Sequence, residues 1–284
     1  MHRLREIAGA LLLGASVAVS FGAQAQGTPA VKARTTTRGA TAQEYQLEPQ
    51  AMDLIKAMSS ALTGARSLAF TATMTYESAS KLGPALAYTT RSEVLLQRPD
   101  RLRVLTLGDG PTTEFYYDGK SITAFSPAEN LVAIAPAPPT VDGMLEAVFD
   151  NAAIYFPFAD VLGADPLSDL SRGLVSAFVV GQSKLVGGVP TDVVALVTDE
   201  LFMQLWIGKD DHLPRMMRAV YRGDTSRLRH QLELTDWKLD PTVAADAFAS
   251  VNAANAHRIP FAAPLPPGVK PPKQAKPAPK TPAP

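Results

Sequence analysis

Residues able to do chemistry are few in this chain, and they are scattered. It contains four histidines, His2, His212, His230 and His257, and no cysteine. No two histidines stand at the i, i+3 or i, i+4 spacing that metal ligation from one element requires, and thiolate zinc sites, iron–sulfur clusters and cysteine nucleophiles are excluded outright. Asp210-Asp211-His212 could seat a cation, but adjacent acids between two apolar runs read as a turn. Gly181-Gln182-Ser183-Lys184-Leu185 lacks the second glycine of a nucleophile elbow. Gly187-Gly188 is followed by Val189-Pro190 rather than by a helix N-terminus that could hold phosphate. Asp199 and Glu200 read as solvated strand ends. The expectation is no catalytic residue, no metal and no cofactor, hence not an enzyme.

The chemistry that remains is apolar. Soft and aromatic residues concentrate in one segment (Met144, Leu145, Val148, Phe149, Tyr155, Phe156, Phe158) and on later strands (Phe202, Met203, Trp206, Met216, Met217). Such residues pack cores, and they also line the concave clefts in which β-rich proteins hold ligands. The candidate ligand-binding set is Met144, Leu145, Val148, Phe156, Phe158 and Trp206. Arg98 joins it at the mouth, where a guanidinium can pair with a lipid headgroup.

The elements that must position these residues can be followed by period. Pro49 suits a first helical turn, and Ala51, Leu54, Ile55, Met58, Ala61 and Leu62 keep helical spacing up to Gly64. From Ser67 the period is two, and further strands are expected at 86–96, 101–107, 113–117, 121–125 and 130–135. Asp118-Gly119 suggests a type I′ hairpin turn. The segment 136–173 interrupts the strands with helices capped by Thr140 and Asp165 around the aromatic stretch 154–158, and is the best candidate for a lid. Strands then resume at 175–180, 184–186, 191–197, 201–207, 215–221 and 230–237, with Gly187-Gly188 as a hairpin turn. The fold class expected is α+β, mainly antiparallel β: a curled half-barrel sheet of about ten strands with short helices over its concave face.

The ends differ from the middle. Residues 1–25 have a basic start, an apolar run from Ile7 to Phe21 and Ala23-x-Ala25, the pattern of a secretory signal peptide cleaved after Ala25. Residues 26–43 are Thr-rich and basic, and 258–284 are rich in Pro and Lys; both are expected to be disordered, leaving one domain at 44–257. Without the signal and the eight cations of these tails, 17 basic residues face 26 acidic ones. Such a core repels nucleic acid and anionic membrane, while the basic tails can touch anionic surfaces, a peripheral membrane contact included.

Arg98-Pro99-Asp100-Arg101-Leu102-Arg103 and Phe115-Tyr116-Tyr117-Asp118-Gly119-Lys120, with Phe125-Ser126-Pro127, resemble the Arg-Pro and Asp-Gly-Lys signatures of the bacterial lipoprotein-carrier (LolA/LolB-like) superfamily. Val141-Asp142-Gly143-Met144-Leu145, Phe156-Pro157-Phe158-Ala159-Asp160, Val179-Val180-Gly181, Gly187-Gly188-Val189-Pro190, Leu205-Trp206-Ile207, Leu213-Pro214-Arg215 and Thr235-Asp236-Trp237-Lys238-Leu239 are similar to one branch of it, an uncharacterised family of predicted periplasmic proteins. The resemblance covers about residues 46–248. It implies a half-open antiparallel barrel with helices over its mouth and an apolar cavity that takes acyl chains, and Arg98 and Asp118-Gly119-Lys120 enter as fold markers. Some members of the superfamily are periplasmic sensors. The function expected is therefore a periplasmic carrier or binding protein for a lipid, acyl chain or other apolar small molecule. The alternative is an envelope interaction or sensor module that meets a protein partner or the cell wall through the basic tail.

Overall fold

The computed structural model describes residues 46–108 and 112–263. The signal peptide, the linker 26–43 and the tail beyond residue 263 lie outside the described residues. Helix α1 (Pro49–Gly64) is followed by β1 (Ser67–Ser78), β2 (Leu86–Gln97), β3 (Arg101–Gly108), β4 (Thr113–Tyr117), β5 (Ser121–Ser126) and β6 (Leu131–Pro136). Helices α2 (Val141–Ala152), α3 (Ala159–Leu162) and α4 (Pro166–Ser171) come next. The chain then forms β7 (Leu174–Ser183), β8 (Thr191–Thr198), β9 (Leu201–Gly208), β10 (Pro214–Tyr221), β11 (Arg229–Leu239) and β12 (His257–Ile259). The hydrogen-bonded strand order is β12-β6-β5-β4-β3-β2-β1-β11-β10-β9-β8-β7, so the end strands β12 and β7 leave the sheet unclosed. The expected class, α+β with a mainly antiparallel sheet, is the one observed, with twelve strands instead of about ten.

Three local expectations change. Asp118-Gly119 does not make a type I′ turn, since only Gly119 has positive φ (88°). The Asp118 carboxylate instead accepts the amides of Lys120 (2.9 Å) and Ser121 (2.7 Å) and closes a three-residue loop. Burial opposes ionisation of Asp118, but the amides of Ser121 and Lys120 outweigh it and hold the carboxyl below its ordinary range. Residues 184–186 are not a separate strand, because the β7–β8 ladder ends at Ser183–Thr191 and a 3-10 turn at Val186–Gly188 spans the gap. Gly187 is required there: φ is 68°, and a Cβ would come 2.7 Å from Cδ of Arg215. The boundary at His257 falls inside β12, which runs parallel to β6 (His257–Leu131 to Ile259–Ala133). All three β12 residues are exposed, so backbone pairing forms this strand without an apolar pattern to announce it.

The described chain divides into two compact units. The first holds 46–64, 74–88 and 165–235; the second holds 65–73, 89–164 and 236–263. The segment 136–173, expected as one insert, is split between them at Ala164/Asp165. In the first unit α1 buries Ala51, Ile55, Met58 and Leu62 and packs against β7, β8 and α4. The amide of Leu167 donates to Ser59 Oγ (3.2 Å). Leu201, Met203, Leu205 and Ile207 of β9 are buried, while Phe202, Gln204 and Trp206 on the opposite face are half-buried, the one-sided pattern of an antiparallel sheet with a solvated face.

In the second unit the sheet is covered on both faces. One face carries Leu96, Leu102, Val104, Phe115, Tyr117 and Ile122 and receives the helical segment. On the other, Phe125 and Val132 pack against Ala253 of the chain that follows β11. Phe248 lies under the Arg101 guanidinium at 5.9 Å, and Ser250 Oγ donates to Glu114 (3.3 Å). Asp240 anchors that chain by accepting the amides of Arg66 (2.8 Å) and Ser67 (3.0 Å).

Candidate functional site

One side-chain cap and one backbone cap position the apolar segment. Thr140 Oγ1 accepts from the amide of Gly143 (3.2 Å) and starts α2, and the left-handed Ala153 ends it, its amide donating to Phe149 (3.0 Å). One face of α2 then buries Val141, Met144, Leu145, Val148 and Ala152. The aromatic stretch after α2 turns its rings onto the sheet: Phe156 meets Phe115 edge-on at 5.0 Å, and Phe158 meets Phe70 edge-on at 5.8 Å. Phe156 and Phe158 stack on each other at 5.7 Å, and Phe70 continues the aromatic layer to Trp237 at 4.5 Å. Met144 and Val148 are 0 % exposed and Phe158 is 1 % exposed, so these side chains fill the space over the sheet.

Backbone and side-chain hydrogen bonds also tie this layer to the strands. The amide of Val141 donates to Pro99 O (3.1 Å). Tyr117 Oη donates to Pro138 O (2.6 Å), and the Tyr117 phenol is pushed up to about 12, by burial first and then by Asp100 and Asp118. Arg98 Nη1 donates to Leu162 O at the end of α3 (3.1 Å). The other two nitrogens of that guanidinium, Nε and Nη2, are buried without a hydrogen-bond partner. Burial pulls the Arg98 pKa down and Asp142 opposes it. Arg98 is thus a half-buried residue whose guanidinium has one of its three nitrogens satisfied, a group that gains from any anion brought to it.

Six of the seven residues singled out by sequence, Arg98, Met144, Leu145, Val148, Phe156 and Phe158, belong to the second unit. Trp206 belongs to the first, on the face of β9 turned away from α1. It lies opposite Val193 and Met216 on the neighbouring strands, and Phe202 lies opposite Val197 and Val220. Asp210-Asp211-His212 is a turn in which Asp211 accepts the Leu213 amide (3.1 Å) and pairs with Arg215.

Sequence reasoning missed a polar cleft of about 470 Å³ bordered by Gln97, Arg98, Asp100, Arg101 and Phe248. It also missed a smaller one of about 170 Å³ among Tyr116, Asp118, Thr123, Phe248, Ser250 and Arg258. Both depend on the chain after β11 crossing strands distant in sequence, which no local pattern reports. Among the described residues no three acids or histidines are grouped to hold a metal, and no helix is long and apolar enough to cross a membrane.

A family model described as "Predicted periplasmic protein (DUF2092)" matches residues 51–262. No curated protein matches the chain. Among solved structures, an uncharacterized conserved protein from Thermus thermophilus is 14% identical over 74% of this chain and 99% of its own, with a TM-score of 0.43. A chain of the Pseudomonas aeruginosa MucA/MucB complex is 19% identical over 72% of this chain and 62% of its own, with a TM-score of 0.41. A LolA superfamily protein from Nitrosomonas europaea is 12% identical over 70% of this chain and 97% of its own, with a TM-score of 0.31.

Proposed function

The chain belongs to the DUF2092 family of predicted periplasmic proteins, and from that premise we propose that it is a non-catalytic periplasmic binding protein whose second unit holds a lipid, acyl chain or other apolar molecule. One observation carries this reading: an apolar layer of α2 and the Phe156–Phe158 stretch covers the sheet, ring against ring and with its large side chains almost fully buried. Such a layer can exchange for a ligand of the same character. An acyl chain gains about 0.8 kcal/mol per buried methylene, so ten methylenes offset the loss from displacing two or three large apolar side chains at about 1.5–3 kcal/mol each. When α3 moves, Arg98 loses Leu162 O, and an anionic headgroup supplies the acceptor that its buried nitrogens lack. Methylene burial also predicts weak selectivity among chains of similar length.

The test is to produce residues 26–284 in the periplasm, purify without detergent, and examine the protein by native mass spectrometry. A co-purified lipid of limited chain length supports the carrier reading. A ligand-free protein that also rejects fluorescent fatty acids defeats it. Arg98→Ala should weaken binding of a fatty acid about tenfold with the fold intact; unchanged binding removes Arg98 from the site.

A second reading, an envelope interaction module, is favoured by the first unit, where Phe202, Trp206, Met216 and Val220 share one face of β9 and β10 and are only half-buried. Deleting 264–284 separates the two: a carrier keeps its ligand affinity, whereas a module docked through its tail loses its partner.

A further inference from the structure

Large apolar residues exposed one at a time are ordinary; clustered ones ask for a partner. Of twelve large apolar residues exposed among the described ones, four fall between residues 76 and 88: Tyr76 (37%), Leu82 (98%), Leu86 (52%) and Tyr88 (39%). They sit on the β1–β2 hairpin of the first unit. Every residue from Lys81 to Thr89 is exposed. Among the described residues the ladder between β2 and β3 runs from Thr90–Gly108 to Gln97–Arg101. At the base, Glu77 accepts the backbone amide of Arg229 (2.9 Å) and its Nε (2.8 Å). Tyr76 and Tyr88 stack there at 5.6 Å. Beyond that base the sequence Ala79-Ser80-Lys81-Leu82-Gly83-Pro84-Ala85-Leu86-Ala87 contains no acid, and none occurs from Ser78 to Ser92.

We propose that this hairpin is a membrane-docking arm: Leu82 and Leu86 enter the headgroup–acyl boundary of an anionic bilayer, Lys81 meets the lipid phosphates, and the Tyr76–Tyr88 pair sits at the interfacial level. Each part matches what that environment selects. Tyrosine has an apolar body and a wet hydroxyl and collects at membrane interfaces. A lysine can keep its ammonium at headgroup level while its stem lies among apolar groups. The folded core carries more acids than bases, but anionic lipid acts within a Debye length of its surface, and the arm that meets it has no carboxylate to be repelled. A protein partner is the weaker fit, because a stable interface needs about 800 Å² per side and shaped complementarity, while a hairpin tip offers a small surface with no groove. A bilayer demands no such shape. Two leucines and one lysine make a weak, reversible contact, below that of a single acyl anchor. The contact is independent of whatever the second unit binds.

The absence of cysteine makes the test direct. Leu82→Cys in the mature chain, residues 26–284, accepts a polarity-sensitive dye at one position. Leu185→Cys is the control, an equally solvated leucine (90% exposed) that also follows a lysine. With phosphatidylcholine vesicles containing phosphatidylglycerol, the dye at 82 should shift to the blue and the dye at 185 should not. Leu82→Asp should weaken vesicle binding about tenfold or more, with no change in unfolding, since Leu82 packs against nothing. The proposal fails if the dye at 82 stays in water, if both positions shift alike, or if Leu82→Asp binds as tightly as the parent. That last result would assign binding to basic segments elsewhere. These outcomes leave the carrier reading untouched, because no fatty-acid ligand enters the assay.

Discussion

The two compact units treat the second face of their strands differently. In the second unit Arg101, Tyr116, Phe125 and Val132 lie under the chain that follows β11, with Phe248, Ser250 and Ala253 in contact, while the other face lies under α2 and the phenylalanine pair. In the first unit α1 and α4 occupy one face, and on the other Phe202, Trp206, Met216 and Val220 are half-buried beside Val193 and Val197, which are 5% and 8% exposed. Both begin from the same two-residue alternation. The difference is one of depth: the second unit buries apolar side chains on both faces, Phe125 and Val132 among them, whereas several on the second face of the first unit stay half-buried. A half-buried side chain there is held by fewer neighbours and loses less when it is removed.

The largest expected effect tests this directly. Phe158→Ala removes a ring that is 1 % exposed and touches two other rings, and should destabilise the protein by about 3–5 kcal/mol in urea unfolding. Trp206→Ala deletes a larger side chain that is only half-buried, so it should lose less, about 1–2 kcal/mol. Equal losses would mean that the first unit's second face is packed as deeply as the second unit's core. The chain has only these two tryptophans, Trp206 in the first unit and Trp237 in the second. Single-tryptophan variants therefore report each unit by fluorescence.

How much of this was legible in the sequence depends on how local the cause is. The alternation of β9, the Thr140 and Asp165 caps and the Pro49 start act within four residues, and each stands where periodicity and capping place it. The apolar candidates Met144, Val148, Phe156 and Phe158 do converge, because one helix face and one short aromatic run carry them. Trp206 shares their residue type and not their place; its strand belongs to the other unit. The one hydrogen bond of the Arg98 guanidinium goes to Leu162, 64 residues away, and no spacing rule reaches that far. The cover over Phe125 is alanine-rich chain whose composition reads as linker. Strand β12 has no buried side chain at all, so only backbone pairing defines it.

That cover supplies the next prediction. Ala253 is 6% exposed against Phe125 and Val132. Ala253→Asp would bury a carboxylate without a partner and should destabilise the second unit by about 2–3 kcal/mol, read through Trp237. Dye binding to exposed apolar surface should rise as the Phe125 face opens. If Ala253→Asp is silent, the returning chain is an ornament to the fold and the contrast between the units loses its basis.

The smallest effect is a pH dependence confined to the first unit. His230 is half-buried beside Tyr221, whose ring it meets edge-on at 5.5 Å. Burial holds its pKa below the ordinary histidine value, with Asp224 and Glu77 opposing the shift. The folded chain therefore binds this proton less readily than the unfolded chain does. Above about pH 7 both states are neutral at His230 and it contributes no pH dependence. As the pH falls through the ordinary histidine range near 6.5, the unfolded state takes up the proton first and stability declines. Urea midpoints followed through Trp206 should fall between about pH 7 and pH 5, and His230→Gln should reduce that slope. A slope that survives the substitution would assign the titration to another group and show that burial of His230 has no bearing on the first unit's stability.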